Sequence, residues 1–152
     1  MTEAEWDHMI ANSADEELLA HIYSLPDEDV IEYCWWADGE ICNGGFRQYY
    51  SNSIFDALKH ASYLEELGEQ QMAEIVKKSL LLFPNGEQPK RLESEEPIFN
   101  RVDTLLGGNK SAFEDLEDQY YASNGGFESS CAAYVRKHPD HYYQLCGKKS
   151  AY

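Results

Sequence analysis

Four polar side chains, Asp38, Glu40, Gln48 and His60, are the best material in this chain for acid–base chemistry or for gripping a small ligand. A carboxylate brought out of water beside an apolar helix face can serve as a general acid or base. Asp38 lies four residues from both Cys34 and Cys42 and so shares their face of a helix. Its ordinary fate there is a hydrogen bond to a tyrosine hydroxyl. Gly107-Gly108-Asn109-Lys110-Ser111 looks like the second half of a phosphate-binding loop, but the first glycine is missing and the segment follows a helical pattern instead of a strand. His138-Pro139-Asp140-His141 offers two imidazoles for a metal, yet Pro139 suits the first turn of a terminal helix, and no C-x-x-C or H-E-x-x-H completes a site. Neither a cofactor nor a metal is expected. An enzyme or small-ligand-binding domain built from the four scattered residues stays open as the alternative reading, decided by whether they face a common pocket or the core.

The densest motif runs from Glu40 to Asn52. Here a helix expected to begin near Asp27 buries Val30, Ile31, Cys34, Trp35, Ile41 and Cys42, then meets Asn43, Gly44 and Gly45. Glycines that take positive φ stop a helix. Phe46 can then fold back onto the last turn, and Gln48 and Asn52 can satisfy backbone groups freed at the junction. Asn124-Gly125-Gly126-Phe127 repeats the four central residues, without matching flanks, and reads as a second helix end of the same chemistry.

The elements that must carry these residues are helices throughout. Capping boxes of the form S/T-x-x-D/E occur at Thr2…Glu5, Ser13…Glu16, Ser53…Asp56 and Ser111…Glu114. Met72, Ile75, Val76, Leu80 and Phe83 repeat at helical spacing, as do Ile98, Phe99, Val102, Leu105 and Leu106. Gly68 sits where a left-handed residue would join two antiparallel helices. A polar stretch from Pro84 to Glu96 reads as the one long loop. The expectation is an all-α single domain over residues 1–152, a bundle of roughly seven to nine helices. Three tyrosine pairs, Tyr49-Tyr50, Tyr120-Tyr121 and Tyr142-Tyr143, suit either edge packing or an interface.

Charge is the most informative bulk quantity. The chain carries 28 Asp and Glu against 12 Lys and Arg, a net charge of −16. Residues 1–46 hold 12 of those acids and neither Lys nor Arg, so −12 of the −16 lies there. Such a field repels nucleic acid and anionic lipid and attracts basic proteins. The longest apolar run, Leu80 to Phe83, is far too short to span a bilayer. The acidic N-terminus does not resemble an export signal. The four cysteines, none in a C-x-x-C pair, suit a reducing compartment, with Cys34, Cys42 and Cys131 expected on apolar faces. A cytoplasmic location follows as the expectation.

From Glu40 to Asn52 the chain reads E-x-x-N-G-G-F-x-Q-Y-Y-x-N, with Glu40, Asn43, Gly44, Gly45, Phe46, Gln48 and Asn52 as its marked positions. At this stretch it resembles a family of small acidic bacterial proteins grouped with a DNA-mimic protein and long treated as a domain of unknown function. The pattern Ala57, Leu58, Gly68 and Ala73 through Phe83-Pro84, and the later Asp118-Gln119-Tyr120-Tyr121, extend the resemblance over most of the chain. The resemblance implies an all-helical fold and a homodimer. For at least one member it implies binding to DNA-binding proteins through a surface that imitates DNA charge. The motif marks the fold and not the mimicking surface.

A mimic must hold carboxylates at phosphate-like spacings, and i,i+4 pairs on a helix lie ~5–6 Å apart at Cβ. Glu3/Asp7, Glu28/Glu32 and Glu114/Asp118 are such pairs. Helix-end electrostatics favours acids in first turns and accounts for many of the others. It does not account for a 46-residue stretch without a base. The candidate partner-binding acids are therefore Glu3, Asp7, Asp15, Glu16, Glu17, Asp27, Glu28, Asp29 and Glu32. The leading expectation is a non-enzymatic acidic interaction protein, a DNA mimic on the basic site of a DNA-binding protein. A nuclease toxin, neutralised by an immunity protein, is a further alternative partner.

Overall fold

The computed structural model describes residues 1–22, 29–52, 55–89, 98–107 and 110–147. Among the described residues the chain forms nine α-helices and no strand, as the apolar periodicity predicts. They are α1 (Glu3–Asn12), α2 (Asp15–Ala20), α3 (Val30–Asn52), α4 (Ala57–Glu66), α5 (Gln70–Leu80), α6 (Ile98–Leu106), α7 (Lys110–Ser123), α8 (Phe127–Lys137) and α9 (Pro139–Gly147). None is long and apolar enough to cross a membrane.

Of the expected capping boxes that lie among the described residues, the one at Thr2 closes. The Thr2 hydroxyl accepts from Glu5 N at 3.2 Å while the Glu5 carboxylate accepts from Thr2 N at 2.7 Å. Ser13 instead ends α1, and Ala14 opens α2 without a side-chain cap. Ser53 lies outside the described residues, and Asp56 itself caps α4 through Lys59 N. Ser111 sits inside α7. An S-x-x-E spacing recurs wherever helices are dense. Which residue leaves helical geometry is settled by where the preceding chain must turn. At Gly68 the expectation holds. With φ +84°, it lets Glu69 N reach Leu64 O at 2.8 Å and Gly68 N reach Glu65 O at 3.0 Å, the two bonds of a Schellman stop.

α3 is the central element, packed by α4 on one side and by α6 and α7 on others, while α4 and α5 form an antiparallel pair. Both members of Tyr49-Tyr50 are therefore buried, so this pair serves the core. The Tyr50 hydroxyl meets Ser79 Oγ at 2.6 Å, and its ring stacks on Phe113. Tyr120 and Tyr142 are buried, Tyr143 is half-buried and Tyr121 is exposed. Cys34 and Cys131 lie in the core as expected, but Cys42 and Trp35 do not. The inward register of α3 runs through Ile31, Cys34, Asp38 and Ile41, leaving Trp35, Trp36 and Cys42 outward.

α1 and α2 pack chiefly on α8 and α9. Trp6 is buried there with its indole N–H donating to Pro139 O at 2.9 Å. Pro139 opens α9, as its fixed φ favours. The stretch expected as a long loop begins with a tight turn at Pro84–Gly86. Gln88 then ties it down, accepting from Ala57 N and donating to Phe55 O; residues 90–97 lie outside the described residues.

Candidate functional site

The Glu40–Asn52 motif is built around a break in α3. Gly44 has φ −144°, ψ 16°, and Gly45 has φ +71°, ψ −169°, a combination that only glycine adopts without strain. The helix kinks here and resumes at once, so the expected stop is a bend without a loop. The freed amide of Phe46 explains why. It donates to Glu117 Oε1 at 2.9 Å, so a carboxylate on α7 supplies the cap that a loop residue would otherwise provide. Burial pushes the Glu117 carboxyl upward and the Phe46 N–H opposes it, with Glu114 and Asp118 adding to the rise.

Gln48 and Asn52 were expected to serve the freed backbone and instead serve Glu40. Its Oε2 accepts from Gln48 Nε2 at 2.7 Å and also from Asn52 Nδ2. Asn43 Nδ2 reaches Gln48 Oε1 at 3.4 Å. This polar staple ties the arm before the bend to the arm after it. Gly44 has to lack a side chain because a Cβ would stand 2.0 Å from Gln48 Oε1. Phe46 is buried against Tyr49, Tyr50, Phe113 and Tyr120. The second Asn-Gly-Gly-Phe, at 124–127, takes a different shape: a 3₁₀ turn between α7 and α8 in which Gly126 has φ −94°.

The candidate acids divide by environment. Glu3, Asp7, Glu16 and Glu17 are exposed and Glu32 is half-exposed; Asp27 and Glu28 lie outside the described residues. Two others already have partners within the fold: Asp29 is covered, while Asp15 stays 38% exposed beside its cation. Asp29 caps α3 through Ile31 N at 3.0 Å and Glu32 N at 3.4 Å, and Tyr142 donates to it. Its side chain is only 5% exposed. Asp15 accepts from Arg136 Nη1 at 2.6 Å, a bond that holds its carboxyl below the ordinary range. The same guanidinium reaches Ile10 O at 3.2 Å and Ser13 O at 2.8 Å, clamping the α1–α2 corner onto α8. The first base in the sequence, Arg47, is engaged by Asp103 through two bonds of 2.8 Å.

A groove of about 430 Å³ opens among α2, α3 and α8. Leu19, Ile22, Ile31, Trp35 and Trp36 supply its apolar lining, and Glu16, Glu32 and Glu128 its charge. Trp36 Nε1 donates to Glu32 Oε1 at 2.7 Å, which orients the ring. Sequence reasoning missed this groove by placing Trp35 in the core. The signal was available in the i, i+3, i+7, i+10 register of α3, which leaves positions 35 and 36 together on the outside.

The sequence model of the DMP19-like protein family matches residues 24–138 of the 152. The chain belongs to the DMP19-like family. Comparison with curated proteins and with solved structures yields no match. The matched span runs from α3 through α8. It takes in the bend and its Glu117 cap, while α1 and α2, with the exposed acids Glu3, Asp7, Glu16 and Glu17, lie outside it. Family membership therefore speaks for the bent core of this DMP19-like chain and leaves the acidic helices to be judged on their own chemistry.

The four residues of the alternative reading do not converge. Asp38 accepts from Tyr120 at 2.6 Å, the tyrosine partner expected for it. Glu40 and Gln48 are joined in the staple. His60 is fully buried elsewhere, with Nδ1 3.0 Å from the Tyr49 hydroxyl. Cys42 lies 3.7 Å from Asp38 Oδ1, and burial together with that carboxylate pushes its thiol up to about 11, so at neutral pH it is not a thiolate nucleophile. Among the described residues no group of three or more His, Cys, Asp or Glu is placed to hold a metal ion. Of the phosphate-loop lookalike, Gly107 follows α6 and Lys110 opens α7; Gly108 and Asn109 lie outside the described residues.

Proposed function

We propose that this DMP19-like chain is a non-enzymatic acidic interaction protein that occupies the basic site of a DNA-binding protein. The observation that carries the reading is the asymmetry of its surface. Glu3, Asp7, Glu16, Glu17 and Glu32 meet solvent on a stretch of 46 residues without Lys or Arg. Arg136, which among the described residues reaches the α1–α2 corner, is spent on Asp15 and two carbonyls. The exposed carboxylates keep their field for a partner. Helix stability does not call for like charges at i,i+4, which cost roughly 0.2–0.5 kcal/mol per pair.

Immobilised chain should capture its partner from native lysate at low salt and release it as salt rises, because screening shortens to ~8 Å at physiological ionic strength. Duplex DNA should compete. Reversing Asp7 and Glu17 to lysine should weaken capture by about tenfold or more, equivalent to about 1.4 kcal/mol. Reversing the exposed Glu74 and Glu87 should change it much less. Equal losses from both pairs, or indifference to DNA, would reduce the acids to a solvated face. A captured nuclease, rather than a DNA-binding regulator or architectural protein, would favour the immunity reading.

The proposal includes a homodimer whose interface avoids the acidic helices, since like-charged faces repel. Leu58 at the start of α4 and Leu81 just after α5 are 62% and 73% exposed, at the same end of that antiparallel pair, with Lys59 and Lys78 nearby in sequence. Light scattering should give about 35 kDa, twice 17.4 kDa, and Leu58→Glu with Leu81→Glu should halve it. A mass near 17.4 kDa for the unmodified chain across micromolar concentrations rules the dimer out.

A further inference from the structure

We infer that the groove among α2, α3 and α8 receives a short segment of a partner protein that presents an arginine beside apolar side chains. This rests on the reading above, that a basic protein is bound, and names the contact that selects it. Trp35 and Trp36 are 50% and 60% exposed. Two neighbouring indoles turned outward on one helix are not needed by the core, which α3 fills from its opposite face. They stand beside the buried floor residues Leu19, Ile22 and Ile31. The volume of about 430 Å³ falls within the roughly 300–1,000 Å³ of ligand-binding clefts.

The rim specifies the occupant. Among the described residues Glu16, Glu32 and Glu128 line the groove, and neither Lys nor Arg does. Glu32 Oε1 accepts from the Trp36 indole, which fixes that ring beside a carboxylate. An arginine meets both requirements at once, because its planar guanidinium stacks on an indole while its N–H groups pair with a carboxylate. Lysine, a compact and strongly hydrated charge, does this less well. The apolar floor then asks for a leucine-like side chain next to the arginine. A second copy of this chain would bring its own acidic rim against the first, and nucleic acid or anionic lipid is repelled by the same carboxylates. DNA carries no counterpart of the indole pair, so the groove supplies discrimination among basic partners that charge alone cannot.

The test titrates the full chain with the blocked peptide Gly-Ser-Arg-Leu-Leu-Arg-Ser-Gly, with a version in which both leucines are serine, and with one in which both arginines are lysine. Calorimetry gives affinity, and tryptophan fluorescence reports occupancy, since the third tryptophan, Trp6, is buried away from the groove. The Arg–Leu peptide should bind about tenfold tighter than the Arg–Ser peptide and more tightly than the Lys–Leu peptide. Trp35→Ala with Trp36→Ala should erase that preference while the helical spectrum is retained. Glu32→Gln should weaken both arginine peptides. Equal affinity of the Arg–Ser and Arg–Leu peptides, no binding by any peptide at millimolar concentration, or indifference to the tryptophan substitutions overturns the proposal. So does light scattering in which those substitutions turn a dimer into a monomer, which would make the groove an interface between copies. The broader reading fails separately: salt and the Asp7/Glu17 reversal would then leave affinity unchanged while leucine-dependent binding persisted.

Discussion

Replacing Gly45 with valine should lower the stability of the fold by about 3–5 kcal/mol, the sum of backbone strain and a lost charge-assisted hydrogen bond. At φ +71° and ψ −169° any L side chain is strained, a cost of about 1–3 kcal/mol. A Cβ at this position would also lie 2.1 Å from Glu117 Oε1. That atom is the far end of a side chain and can move, but moving it uncaps the Phe46 amide. A hydrogen bond to a charged group contributes about 1.5–3 kcal/mol. The two costs are linked, because the conformation that demands glycine is the one that aims the amide at Glu117. Urea denaturation of Gly45→Ala and Gly45→Val should show most of the loss already in alanine, since both share the Cβ. Glu117→Gln, which keeps an acceptor but drops the charge, should cost about 1 kcal/mol. Midpoints unchanged from the parent for both glycine variants would refute the strained, carboxylate-capped bend.

His60 should make the fold acid-sensitive. Its ring is fully buried, and desolvation pushes its pKa down to about 3 from the ordinary 6.5. Tyr49, whose phenol burial keeps protonated, lies at Nδ1; among the described residues Nε2 has no hydrogen-bond partner. Below pH 6.5 the unfolded chain takes up a proton that the folded chain refuses until about pH 3. Stability therefore falls as pH drops through that window and is unaffected by this group above it. At about 1.4 kcal/mol per pH unit the loss reaches roughly 4 kcal/mol by the bottom of the window. Stability measured by urea at steps from pH 7.5 to pH 4 should fall in the parent, with His60 as one contributor to the slope. In His60→Leu the slope between pH 6.5 and 4 should be shallower by the contribution of one proton, whatever the change in baseline. Identical slopes in the two proteins would show that His60 does not titrate on unfolding.

Several features were legible in the sequence because their causes are local. Amphipathic periodicity depends on residues three and four apart, and it marked the helices that the structure contains. The Schellman stop at Gly68 closes within six residues. The deficit of bases before Arg47 is a property of composition, and the proximity of Asp38 to a tyrosine followed from its place on an apolar face. Packing between distant segments decided the rest. The Phe46 amide is capped by a carboxylate 71 positions away, so the bend that looked like a helix end continues without a loop. Arg136 finds Asp15 across 121 positions, which pairs that acid at the surface, and Tyr142 covers Asp29 across 113, which withdraws it. Tyr49 and Tyr50 are both buried because neighbouring helices cover more than one side of α3, whereas Trp35 and Trp36 stay half exposed because no described helix covers that face. A periodic pattern records which side chains lie together on a helix; how many of its faces are covered, and by which charges, is decided only when the other helices arrive.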